Sequence, residues 1–182
     1  IMDLAGLLQA QFADFTCRNN EIHFSAGICL KKPNTPLRKL ALEVEQALEA
    51  SKDSGRNKIT VFGETVTWKE YARLRQIKEI IKQWHEDKLI NNAMLFRLNA
   101  FIGLANLEKE VLREGGVKIE DMECLKWRSL FRYTTERNIG KMMKDETDRK
   151  KARERFGAAA SWLDEFGGRL RIALWDLIYN QR

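Results

Sequence analysis

Between Glu21 and Gly63 the hydrophobic period runs from two residues to about 3.6 and back to two, which leaves little choice but a β-α-β unit. Ile22, Phe24, Ala26, Ile28 and Leu30 alternate with His23, Ser25, Gly27, Cys29 and Lys31, so one strand face is apolar and the other small or polar. Thr35-Pro36 reads as an N-cap with proline at the first helical position. Leu37, Leu40, Ala41, Val44, Ala47, Leu48 and Ser51 follow at helical spacing, and Gly55 supplies a left-handed stop. Ile59 and Val61 return the chain to a strand. The helix is expected on the apolar face, with Ser25, Gly27 and Cys29 left bare so that a ligand can approach closely.

At the helix exit Lys52 and Arg56 bracket Gly55, and Asn57 follows. Two cations at a glycine corner beside a small-residue strand suit a polyphosphate. The same cations equally suit the negative end of a helix as solvated charges.

These residues carry a family resemblance. Phe24-Ser25-Ala26-Gly27-Ile28, then Glu43 to Lys52, then Gly55-Arg56-Asn57, resemble the second half of a GGDEF-type cyclase/polymerase palm. The continuation Ile59 to Trp68 looks like the large subunit of type III-A CRISPR–Cas (Csm) effector complexes. Lys126 to Tyr133 and Leu174 to Arg182 resemble that subunit's helical C-terminal domain. The resemblance implies an α+β fold: a partial ferredoxin-like, palm-type β-α-β unit over 1–66, then an all-α bundle over 67–182. It implies that Lys52 and Arg56, with Ser25, Gly27 and Asn57, bind a nucleotide triphosphate. In the intact subunit ATP with Mg or Mn would be converted to cyclic oligoadenylate, and an HD domain would cut single-stranded DNA. The implied partners are other effector subunits, guide RNA and target RNA. A GGDEF-type diguanylate cyclase fragment and a non-catalytic helical interaction module are the rival readings.

The family's metal-binding GGDD turn is not in this sequence, since Gly115-Gly116 runs into Val117 and Gly167-Gly168 into Arg169. Without paired aspartates two-metal phosphoryl transfer has no ligands here. The chain is therefore expected to be a silent piece beginning midway through a palm, with no catalytic residues and no tightly bound cofactor of its own. Two strands alone hold a sheet poorly, so the palm part should be less ordered or borrow a strand.

Beyond Gly63 a short extended passage leads to Thr67-Trp68-Lys69-Glu70, a capping box. Tyr71, Leu74, Ile77, Ile81 and Trp84 then form one core-facing stripe. Residues 90–114 are apolar on almost every side and read as a central buried helix ended by Gly115-Gly116. A helix over about 119–139 should bury Met122, Leu125, Trp127, Leu130, Phe131 and Tyr133. A polar junction around Lys144 to Asp148 and two more helices complete a five-helix bundle. Residues 1–16 form a further helix, whose Leu4, Leu7, Leu8, Phe12 and Phe15 should cover the same sheet face as the helix after Pro36.

Net charge is +6, and the whole excess lies in 126–155, with 11 basic residues against five acidic. Arg128, Arg132 and Arg137 are expected to share one helix face, with Lys150, Lys151 and Arg153 nearby. Such a concentration suits a nucleic-acid backbone or an acidic protein surface, or else a solvated face of mixed pairs. Three scattered cysteines and two histidines on separate elements support neither a disulfide framework nor a metal site. The chain carries no signal-like segment and no run long enough for a membrane span, which favours the cytoplasm.

Overall fold

The computed structural model describes residues 1–115, 119–141, 143 and 145–180; Gly116, Val117, Lys144 and Arg182, invoked above, lie outside them. The chain divides into two compact units, residues 1–78 with 175–182, and residues 79–174. The first therefore extends past the boundary expected at 66 and takes in the end of the chain.

The first unit contains helix α1 (Met2–Phe15), strand β1 (Ala26–Ile28), helix α2 (Leu37–Asp53), strands β2 (Lys58–Val61) and β3 (Glu64–Thr67), and the start of α3 (Trp68–Glu86). The sheet has three strands in the order β1-β2-β3, where two were expected. β1 runs parallel to β2, and β3 returns antiparallel to it, with Thr60 opposite Thr65 and Ile59 opposite Val66. The turn is Phe62-Gly63, with φ of +54° and +81°, the sign that tight hairpins need at both central positions. Thus the passage through Thr65 and Val66, expected only to be extended, is a third strand of the sheet. β1 is shorter than its alternating pattern, and Ile22 and Leu30 are exposed.

The helices lie on different faces of this sheet. Gly27 and Thr60 are register partners on one face, and α2 packs there. The buried Ser51 hydroxyl donates to the Ala26 carbonyl at 2.6 Å and shares a hydrogen bond with Thr60 at 2.7 Å, which continues to Thr65 at 2.8 Å. On the other side, Phe12 of α1 meets the Phe24 ring at 5.3 Å, and Phe24 meets Trp68 at 5.5 Å. The expectation that both helices cover the apolar face is therefore overturned. Alternation reveals two faces but not which helix each one receives.

Two expected stripes are also less buried than their spacing suggests. In α1, Leu4, Leu7, Leu8 and Phe15 are exposed and only Ala5 is buried. Its contacts come from Phe12 and from the first turn: Tyr71 donates to the Met2 carbonyl, and Arg75 pairs with Asp3. In α2, Leu37 and Val44 are exposed, and the packing is carried by Ala47, Leu48 and Ser51. Pro36 occupies the N-cap with ψ +137°, and no side chain caps that helix, so Thr35 does not have the capping role. The capping box before α3 is present: Thr67 N–H donates to Glu70 Oε2 at 2.9 Å and Glu70 N–H to Thr67 Oγ1 at 3.2 Å. Lys78 and Asp176 form a buried ion pair at 2.8 Å, joining the closing turn of the chain to α3 within this unit.

The second unit holds the end of α3, then α4 (Asn92–Glu114), a 3-10 segment Ile119–Lys126, α5 (Trp127–Asn138), α6 (Glu146–Phe166), a 3-10 turn Gly167–Leu170 and the start of α7 (Arg171–Asn180). Its core is an aromatic series. Trp84 stacks on Trp162 at 5.2 Å and touches Phe156, which stacks on Phe131, which meets Phe101 edge-on. α4 buries one stripe through Met94, Leu98, Phe101 and Ala105, while Phe96 and Leu112 are exposed, so it is not buried all round. Asn91 caps its start, and Gly115 ends it at φ +72°. Met122 and Leu125 are exposed against expectation, because the segment before Trp127 is a 3-10 turn and not α-helix, and Leu130 and Tyr133 are exposed because α5 buries the stripe Trp127, Phe131 and Thr135.

Candidate functional site

The exit of α2 is built as a tight left-handed corner. Gly55, Arg56 and Asn57 have φ of +108°, +57° and +50° in succession. Only glycine takes such values freely, so the two following residues are held there by their hydrogen bonds. Gly55 and Arg56 N–H groups both donate to the Lys52 carbonyl, at 3.1 and 3.0 Å. Asn57 N–H donates to Ser25 Oγ at 3.1 Å, which ties the corner to the residue before β1. These three amides are therefore occupied and do not form an anion nest; any anion must be held by side chains.

Those side chains are available. Lys52 is 42% exposed and pairs with Glu49 at 2.7 Å, a surface contact that exchanges easily. Arg56 is exposed and has no carboxylate partner among the described residues. Lys58 Nζ is turned back onto the Ser54 carbonyl and neutralises the negative end of α2. The structure thus brings Lys52, Arg56, Asn57 and Ser25 to one corner.

Gly27 is a different case. A Cβ there would lie 2.4 Å from the Leu48 backbone nitrogen and 2.7 Å from the Ala47 carbonyl carbon. Cys29 Sγ donates to Glu43 Oε2 on the same helix at 3.5 Å. The bare sheet patch expected above Ser25, Gly27 and Cys29 is filled by α2. Small residues did signal a close approach, but of the helix backbone and not of a ligand. Below α2 the unit keeps a groove of about 530 Å³ that Cys29, Lys31 and Glu43 share with Phe62, Trp175 and Tyr179. Lys31 and Glu43 pair with each other. Burial and the bond to Glu43 push the Cys29 thiol above its ordinary range, so it is not an activated nucleophile.

In the second unit the basic residues separate. Arg128 reaches two carboxylates, Glu108 and Asp164, and lies over the Trp127 ring at 4.5 Å. Arg132 shares with it the groove between α5 and α6, which Lys150 and Arg153 also line. Arg137 is on another side of α5, its guanidinium on the Tyr133 hydroxyl at 2.8 Å. The single row is overturned by geometry, since five residues turn a helix through about 140°. Arg153 pairs with Glu136, and Lys151 is exposed. The groove carries Glu136, Glu154 and Asp164 as well, so its charges are mixed.

Sequence reasoning missed Glu108. It is buried and accepts from the Trp127 indole N–H at 2.7 Å and from Arg128. Burial raises its carboxyl, but those two donors outweigh it, and the pKa lies below the ordinary value. Among the described residues no group of His, Cys, Asp or Glu is arranged to hold a metal ion.

The corner lies within the stretch of the chain that resembles a known family. Residues 1–60 match the family described as Cas10/Cmr2, second palm domain. The match spans α1, β1, α2 and most of β2, and so includes Ser25, Gly27, Lys52, Arg56 and Asn57. The match covers 60 of the 182 residues. No curated protein and no solved structure matches the chain. Among the described residues no helix is long and apolar enough to cross a membrane.

Proposed function

We propose that this chain is part of the large subunit of a type III CRISPR effector complex, of subtype III-A, and that Lys52 and Arg56 grip the triphosphate of ATP. The observation that carries the reading is the second-palm match over 1–60 together with the exposed, left-handed placement of both cations at the end of α2. Lysine contributes a mobile point charge and arginine a planar fork, a pairing suited to adjacent phosphate groups. Asn57 and Ser25 set the corner's shape. Gly27 contributes only by letting α2 sit close. Because α2 fills the sheet face, the nucleotide lies outside the helix exit and not over β1.

The family activity is synthesis of cyclic oligoadenylate from ATP, within a complex that holds guide and target RNA and further subunits. These residues supply binding and orientation of phosphate. The acids that phosphoryl transfer requires come from elsewhere in the subunit.

Binding of a fluorescent ATP analogue to the intact subunit tests this. Lys52→Ala and Arg56→Ala are each expected to weaken binding about tenfold, the usual size of a charged hydrogen bond. Glu49→Gln, which releases Lys52, should not weaken it. Unchanged affinity in the double variant would remove the phosphate role and favour a non-catalytic interaction module. A clear preference for GTP would favour a GGDEF-type cyclase.

A further inference from the structure

One cluster of cations in the second unit lies partly outside the stretch in which the sequence concentrates its basic residues. A cavity of about 360 Å³ opens between the turn after α3 and the segment that leaves α5. Three cations surround it: Lys88, Arg97 and Lys141. All three are exposed, and among the described residues none has a carboxylate partner. No Asp or Glu lines the cavity among the described residues, whereas the α5–α6 groove has three. Its floor is apolar, from the buried Ile90, Met94 and Ile139.

Two amides complete it. Asn91 Oδ1 is taken by Met94 N–H at 2.9 Å, which leaves its NH₂ to donate outward. Asn138 NH₂ is taken by the Thr134 carbonyl at 2.8 Å, which leaves its carbonyl oxygen to accept. Local turns hold the frame: Lys88 stands at φ +57°, with its N–H on the His85 carbonyl at 3.1 Å, and Gly140 at φ +72°.

We infer that this cavity binds a nucleoside phosphate, with phosphate oxygens at Lys88, Arg97 and Lys141 and the base on the Ile90, Met94 and Ile139 floor. Three cations without a carboxylate partner among the described residues, over an apolar floor, match a ligand that joins a compact anion to a flat, weakly polar body. One donor and one acceptor amide match the mixed edge of a base. A cavity of this size takes one nucleotide unit, either free or as one residue of a single strand. The inference stands apart from the Lys52–Arg56 corner, which belongs to the other unit.

The test uses the full chain carrying Lys52→Ala and Arg56→Ala, so that the corner adds nothing. The probes are inorganic phosphate, AMP and a fluorescein-labelled single-stranded RNA of ten uridines. AMP or the RNA should bind, and adding Lys88→Glu, Arg97→Glu and Lys141→Glu together should weaken that binding about tenfold or more. The slope of log affinity against log salt for the RNA should fall by about two. Circular dichroism should be unchanged, because all three side chains are exposed. AMP binding identifies a free nucleotide as a ligand, and RNA binding without AMP identifies a strand. Lys150→Glu with Lys151→Glu should have the smaller effect. Failure of both AMP and RNA to bind would overturn the inference. So would phosphate binding as tightly as AMP, or equal binding by the triple variant and its parent.

Discussion

Gly27→Ala destabilises the first unit by about 3 kcal/mol or more, an unusually large effect for one methyl group. The new Cβ meets the backbone of α2, at 2.4 Å from Leu48 N and 2.7 Å from Ala47 C, and not the flexible end of a side chain. Relief requires α2 to lift from β1. That movement would break the Ser51 hydrogen bonds to Ala26 and Thr60, so the overpacking and the lost polar contacts act together. Gly103→Ala in α4 is the control, since a Cβ there meets nothing within 4 Å. It should stabilise by about 0.5–1 kcal/mol through helix propensity. Urea denaturation of the two variants should give opposite signs. Equal, small effects would mean that α2 does not lie directly on Gly27.

Glu108→Ala is the second large effect, about 2–3 kcal/mol at neutral pH. The indole N–H of Trp127, on a fully buried side chain, loses its acceptor. Arg128 loses one of its two carboxylates but is half exposed and keeps Asp164, so its share of the cost is small. Glu108→Gln retains an acceptor and should cost about 1 kcal/mol. The pH dependence separates charge from hydrogen bonding. The folded-state pKa of Glu108 is below its unfolded value. Its contribution is therefore complete above the unfolded pKa and is lost as pH falls through the folded one. Thermal melts of the wild type should show that acid loss, and the Gln variant should show less of it.

Glu108 also illustrates what was legible. Positions 94, 98, 101 and 105 alternate steps of four and three along α4, and 108 is the next place in that series. A carboxylate where the stripe demands an apolar residue was the available signal of a buried polar partner. The β-α-β order, the capping box at Thr67 and the stripe from Tyr71 to Trp84 were all readable, because each depends on local period or local hydrogen bonding. The third strand was less so, since Phe62-Gly63 lacks the Asn-Gly or Asp-Gly signature of a two-residue hairpin. Which sheet face receives α2 depends on a contact between Gly27 and Leu48, and nothing in either element's own period specifies it. The leucines of α1 have the spacing of a buried stripe but are exposed, because the helix is held through Met2, Asp3 and Phe12 instead. The cavity of Lys88, Arg97 and Lys141 joins residues far apart in the chain, so no motif announces it.

Within the candidate site, the residues of the corner were legible from Lys52-x-x-Gly55-Arg56-Asn57, and their surroundings were not. The sequence places two cations beside a glycine; only the fold reveals that the neighbouring strand face is occupied and the corner's amides are already bonded. Phosphate recognition at this corner therefore depends on two side chains alone. A structure of the intact subunit bound to a non-hydrolysable ATP analogue tests that most directly. The account predicts phosphate oxygens within about 3 Å of Lys52 Nζ and the Arg56 guanidinium, with Lys52 released from Glu49. Phosphates bound elsewhere, with Lys52 still on Glu49, would contradict it.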